Sequence, residues 1–216
     1  MRRNRYDMRR IYACALYQRK EIIAMERVEH HKRLELLLPQ RTILVLCGPA
    51  GSGKSTFARR LIKEHRKQSF RPTMIVSSDT CRALVCDDET NQQVNRDGFD
   101  LFYYIINKRM LQGRFTIADS TALQGWARQR LLNLAQRQNY YACIIAFDVP
   151  LEKSVQQDKQ RERIVGEDII AYHTNLMQQV LQALPGEGWN SIFIIDDPST
   201  INIDIRLSVA ITGVSQ

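Results

Sequence analysis

The sequence predicts an α/β fold, a mostly parallel sheet flanked by helices, with a basic helical extension in front of it. Three observations predict it. Thr42 to Cys47 is a short, continuous apolar run, the pattern of a strand buried on both faces. A glycine-rich turn follows at once and opens into helix formers from Lys54 to about Lys67. Downstream, strand-like and helix-like stretches alternate, which requires crossover connections and therefore a parallel sheet.

The elements follow in order. From Arg9 to about Leu38 there is no glycine or proline, and apolar residues recur at Ile11, Ala15, Ile22, Met25, Val28 and Leu36. That spacing predicts one long helix stopped by Pro39, and sets residues 1–40 apart as an extension from a domain over residues 41–216. Strands are expected at Thr73 to Ser77, Phe115 to Ala118, Ala142 to Phe147 and Ile192 to Ile195. Helices are expected around Phe99 to Gln112, Gly125 to Gln138 and Gly166 to Leu184. Arg71-Pro72 and Pro185-Gly186 mark boundaries before strands, Asp196-Asp197-Pro198 closes one, and Ile201 to Gly213 offers a last strand.

A chain of 216 residues with 44% hydrophobic and 25% charged residues buries one sizeable core, which excludes disordered, collagenous and rod-like classes. The longest apolar run, around Ile43 to Cys47, is far shorter than the roughly 20 residues that span a bilayer, and no apolar stretch follows the basic start as in a signal peptide. A cytoplasmic protein without membrane contact is expected. Five cysteines, without a CxxC pair, favour neither a disulfide framework nor a zinc site, and His30, His31, His65 and His173 read as surface residues. The net charge is +8, and residues 1–40 hold ten lysines and arginines against five acids. Such an arm suits a polyanion such as nucleic acid, a protein partner or a second copy of the chain. It is equally a solvated helix that keeps the chain soluble.

Gly48-Pro49-Ala50-Gly51-Ser52-Gly53-Lys54-Ser55 matches GxxxxGK[ST] in full, between an expected strand and an expected helix. By chance the pattern arises in a chain of this size on the order of once in a hundred. In such a loop successive backbone N–H groups point at phosphate oxygens at the positive end of the following helix. Residues Gly48 through Thr56 are thus expected to hold ATP, with Lys54 on the β and γ phosphates and Ser55 as a ligand of Mg²⁺. The fold is then a P-loop NTPase fold. The loop leaves open what happens to the γ phosphate.

Transfer needs a base at the acceptor hydroxyl and cations on the moving charge. Ser77-Ser78-Asp79-Thr80-Cys81-Arg82 stands at the carboxyl end of the second expected strand, where ligands bind in open parallel sheets. Asp79 fits a base, and Arg82, one helical turn on, an anion clamp. They equally fit a helix cap and a surface ion pair. Asp119 fits either the water shell of the metal or a cap.

The stretch Ser77 through Gln92, together with Phe99-Asp100, Lys108 to Gly113, Asp119-Ser120-Thr121 and Arg128, resembles the kinase module of bacterial polynucleotide kinase-phosphatases of RNA repair. More distantly it is similar to phage polynucleotide kinase. The likeness runs from about Thr42 to Leu184, and zeta-toxin-like and other small kinases share parts of it. It implies transfer of the γ phosphate of ATP, with Mg²⁺, to a 5′-OH end of RNA or DNA. It further implies that Asp79 is the general base and that Arg82 holds the phosphate next to the acceptor nucleotide. Arg161 and Arg163, on a lid near residues 157–170, would stabilise the transferring phosphoryl. Without the likeness, Gln156 to Arg163 reads equally as a solvated turn. The sequence departs from the pattern at Gln157, where an arginine is common, and at Ala122, where an asparagine is common. Two other functions stay open: a small-metabolite kinase with the same loop and Asp79, and a nucleotide-dependent binding module that does not turn over.

Overall fold

The computed structural model describes residues 10–12, 25–28, 33–161 and 164–208. Within them the chain starts with three strands, β1 (Arg10–Tyr12), β2 (Met25–Arg27) and β3 (Arg33–Pro39). This corrects the single helix expected over Arg9 to Leu38. The physical reason is the period. Leu34, Leu36 and Leu38 are buried while Glu35 and Leu37 between them are less so, an alternation that fits a strand and no helix face. The absence of glycine and proline permits a helix but does not require one.

The remaining strands are β4 (Thr42–Cys47), β5 (Ile75–Ser77), β6 (Thr116–Asp119), β7 (Tyr141–Phe147), β8 (Ser191–Ile195) and β9 (Asn202–Ser208). Six of the nine form a parallel sheet in the order β2-β8-β7-β4-β6-β5, and β1-β3-β9 form a second parallel sheet. In the second, β3 pairs with β9 from Arg33↔Asn202 to Pro39↔Ser208. A two-residue turn, Gln40-Arg41, then feeds β3 straight into β4, closed by the Thr42 hydroxyl donating to the Pro39 carbonyl at 2.7 Å.

The central strands are buried on both faces, which is why β4 reads as an unbroken apolar run. Ile43, Val45 and Cys47 face one core, shared with α3 (Asn95–Leu111), α4 (Gly125–Arg137) and α6 (Glu167–Ala183). Leu44 and Leu46 face the other, built from α1 (Lys54–Glu64), β3 and β9. His65, just beyond α1, corrects its surface assignment: it is buried, Nδ1 sits 2.8 Å from the Leu61 carbonyl, and Nε2 accepts the Ile205 N–H at 2.9 Å. It fastens the end of α1 to the second sheet.

Arg128 is buried on α4, where it donates to both carboxylate oxygens of Glu187 and to the carbonyls of Ala122 and Leu123. Removing one member of a buried pair leaves the other charge uncompensated, at a cost of about 3 kcal/mol or more. Arg128→Leu is therefore expected to lower the midpoint of chemical denaturation sharply, while Arg128→Leu/Glu187→Leu recovers much of the loss.

Candidate active site

The phosphate-binding loop leaves the carboxyl end of β4, where the Gly48 N–H donates to the Thr121 carbonyl at 2.9 Å. Two of its glycines are required by geometry. Gly51 has φ 75°, and a Cβ there would overlap the backbone carbonyl of Ser154 on α5 (Leu151–Asp158). Gly53, at φ 83°, is the left-handed residue that opens α1. Lys54 is buried, and its ammonium donates to the Gly48 carbonyl at 2.9 Å, to the Pro49 carbonyl and to Ser52 Oγ at 3.3 Å. Burial pulls its pKa down to about 8, against the opposing pull of Asp119.

Ser55, the next residue of α1, favours the charged form of the Asp119 carboxylate at the end of β6. Asp119 is buried, and burial raises its pKa despite Ser55 and Lys54. A hydroxyl and a buried carboxylate side by side at the loop are a donor set of the hard oxygen type that Mg²⁺ takes together with phosphate oxygens and water. These residues fit that ion. Among the described residues no group of three or more His, Cys, Asp or Glu residues could hold a metal by itself.

Asp79 and Arg82 come together on α2 (Ser78–Cys86). Ser77 supplies the N-cap, its side chain accepting the Thr80 N–H, so the cap does not need Asp79. Asp79 is half exposed and forms an ion pair with Arg82, which is buried. Arg82 also donates to the Glu89 carbonyl at 2.9 Å and to Asn95 Oδ1 at 3.0 Å. The close approach of α3 is possible because residue 98 is glycine: a Cβ there would lie 2.7 Å from Arg82 Cγ. β5 pairs with β6 so that Ser77 stands opposite Asp119, which brings Asp79, two residues on, to the same carboxyl edge of the sheet.

The expected lid follows α5. Arg161 is exposed, and its charge depresses the Lys54 pKa. Arg163 lies outside the described residues. Gln157 reaches over the loop, its Oε1 3.4 Å from where a Cβ of Gly53 would stand. Two groups carry no local signal in the sequence. Asp158 is buried, and its Oδ2 accepts the Val165 and Gly166 N–H groups at 2.9 and 3.1 Å, tying the end of α5 to the start of α6. His173, on α6, accepts the Ala50 N–H through Nδ1 at 3.3 Å, which corrects its surface assignment. Thr56 is exposed on the first turn of α1.

Burial and the Lys54 charge hold the His173 pKa below its ordinary 6.5. The unfolded chain therefore takes up that proton first as pH falls, so stability is full above about 6.5 and declines below it. The melting temperature is expected to drop as pH falls below about 6.5, and His173→Gln to remove part of that drop.

A glycine-rich loop gripping a buried lysine, with a hydroxyl and a carboxylate at its edge and helices on both sides of a parallel sheet, defines a P-loop nucleotide-binding protein with a kinase-type core. The family described as AAA domain matches residues 43–193, and the chain belongs to it. Among solved structures it is similar to a chain of the Pnkp1/Rnl/Hen1 RNA repair complex, at 20% identity and TM-score 0.56, over 68% of this chain and 46% of that one. It is similar also to AvrRxo1-ORF1:-ORF2 with ATP, at 18% identity and TM-score 0.50, over 68% of this chain and 50% of that one. At these identities the likeness is one of fold, and the chain spans about half the length of each. None of the curated proteins matches it. Among the described residues, no helix is long and apolar enough to cross a membrane.

Proposed function

We propose that the chain is an ATP-dependent polynucleotide 5′-hydroxyl kinase, which moves the γ phosphate of ATP to 5′-OH ends of RNA or DNA. The observation that carries this reading is the half-exposed Asp79 carboxylate, held by a buried arginine at the carboxyl edge of the sheet, where Ser77 stands opposite Asp119. Asp79 accepts the proton as the 5′-hydroxyl oxygen attacks the γ phosphorus and ADP leaves. Lys54 and Arg161 offset the charge that builds on the transferring oxygens. Mg²⁺ would be held by Ser55, with Asp119 on its water shell, and when bound it supplies further charge neutralisation. RNA repair, a cytoplasmic setting and a nucleic-acid end as partner belong to the same reading.

Arg82 acts first as a positioning residue. Three of its nitrogens are engaged inside the protein, one on Asp79 itself. That engagement favours a second reading, a small-metabolite kinase whose acceptor needs no phosphate clamp. A screen of 5′-OH oligonucleotides against nucleotide sugars and small alcohols, with labelled ATP, separates them. Label on oligonucleotides supports the first reading; label on small acceptors alone replaces it.

A further inference from the structure

Resting on that reading, we infer that the exposed face of α1 and the turn behind it form a cationic track for the phosphates of the acceptor strand. Residues 54–72 hold seven lysines and arginines against one glutamate, a net of +6 in a chain whose whole net charge is +8. Lys54 belongs to the phosphate loop, and Arg60 is tied to the carbonyls of Pro198, Ser199 and Ile201. The other five, Arg59, Lys63, Arg66, Lys67 and Arg71, are exposed. Among the described residues two salt bridges end in this segment, Arg60 to Glu64 and His65 to Asp204, and none ends on Arg59, Lys63, Arg66 or Lys67.

Their order gives the patch a direction. Ser55, Arg59 and Lys63 stand four residues apart, on one face of α1, with Arg66 and Lys67 on the single turn of 3-10 helix that follows. The near end is at the phosphate loop, because Ser55, directly after Lys54, stands one turn before Arg59 on the same face of α1. Four residues of helix advance about 6 Å, a step on the scale of successive phosphates along an extended strand. Neutralising the helix dipole explains a cation in the last turn, here Lys63. It does not explain Arg59 one turn earlier, or Arg66 and Arg71 beyond the end.

The chemistry selects the occupant. A row of exposed ammonium and guanidinium groups starting beside a phosphoryl-transfer site complements a polyanion whose end lies in that site. Phe57, the aromatic residue of α1, is buried, so the face offers no ring for a base to stack on. The track therefore reads backbone phosphates and not sequence. Charge is thus expected to favour long acceptors over short ones.

The test is Lys63→Ser/Arg66→Ser/Lys67→Ser beside the wild-type full chain, with a 5′-OH 20-mer and a 5′-OH dinucleotide bearing one phosphate. The variant should raise the KM for the 20-mer about tenfold while leaving kcat, ATP affinity and both dinucleotide parameters unchanged. The slope of log affinity against log salt should flatten by about two, at roughly 0.7 for each single-strand phosphate that no longer meets a cation. Lys63→Arg/Lys67→Arg should behave as wild type. Equal losses for both acceptors, or an unchanged slope, would overturn the track. If the wild type labels neither acceptor, the kinase reading fails by itself, and equilibrium binding of a fluorescent 20-mer then decides the track. Weaker, less salt-sensitive binding in the variant supports it; equal binding contradicts it.

Discussion

Lys54→Ala is expected to reduce turnover by about a thousandfold or more, the scale on which loss of one preorganised charge at a reacting phosphoryl is felt. The ammonium does two things here. On the proposed reading it is the buried cation at the β and γ phosphates, and it is the donor around which the Gly48 and Pro49 carbonyls and Ser52 gather. Lys54→Arg should not rescue, because the planar guanidinium does not fit a cradle shaped to a compact ammonium. The pKa of about 8 adds a pH signature. The folded value lies below the ordinary 10.5, so the ammonium loses its proton as pH rises through about 8, and ATP affinity should fall over that interval. Titration calorimetry at pH 7 and pH 9 reads this directly. Affinity that holds at pH 9, or substantial turnover by Lys54→Ala, would remove the loop from the active site.

Asp79→Asn is expected to lower kcat by about 10² to 10⁴, the contribution of a general base, with ATP affinity unchanged. Asparagine keeps the shape and the oxygen that faces Arg82 but cannot take a proton. Asp79→Ala is the poorer probe, since it leaves the buried guanidinium of Arg82 without its carboxylate and adds a stability loss. Full function in Asp79→Asn would favour the nucleotide-dependent binding module, which needs no base.

What is legible in the sequence follows from what is local. β4 and its loop are readable because burial on both faces writes a continuous apolar run, and phosphate binding writes glycines at set intervals. The alternation that follows places β5 to β8, α3, α4 and α6 to within a few residues. The two short helices α2 and α5, nine and eight residues long, do not announce themselves, because so few turns hardly show a period. β3 reads as helix because its alternation is short and the partner that selects the strand, β9, lies far along the chain. For the same reason the described residues of the expected arm belong to the sheets: β2 is a strand of the main sheet and Leu34, Leu36 and Leu38 are core, while residues 1–9, 13–24 and 29–32 lie outside the described residues.

The positions of Asp79 and Asp119 at the sheet's carboxyl edge are readable because Asp79 stands in the first turn of α2 and Asp119 ends β6, with Arg82 one turn further along α2. His173, Asp158 and Gly98 are not. The first matters through its hydrogen bond with the Ala50 N–H, the second through the Val165 and Gly166 N–H groups, and the third through the room it leaves for Arg82. None of these partners is a sequence neighbour on the same element.

The most direct measurement is transfer of label from γ-labelled ATP with Mg²⁺ to 5′-OH RNA and 5′-OH DNA oligonucleotides, with Asp79→Asn beside the wild type. A labelled 5′ end that disappears in the variant is the predicted result. ATP binding by the wild type with neither oligonucleotide labelled would contradict the acceptor assignment.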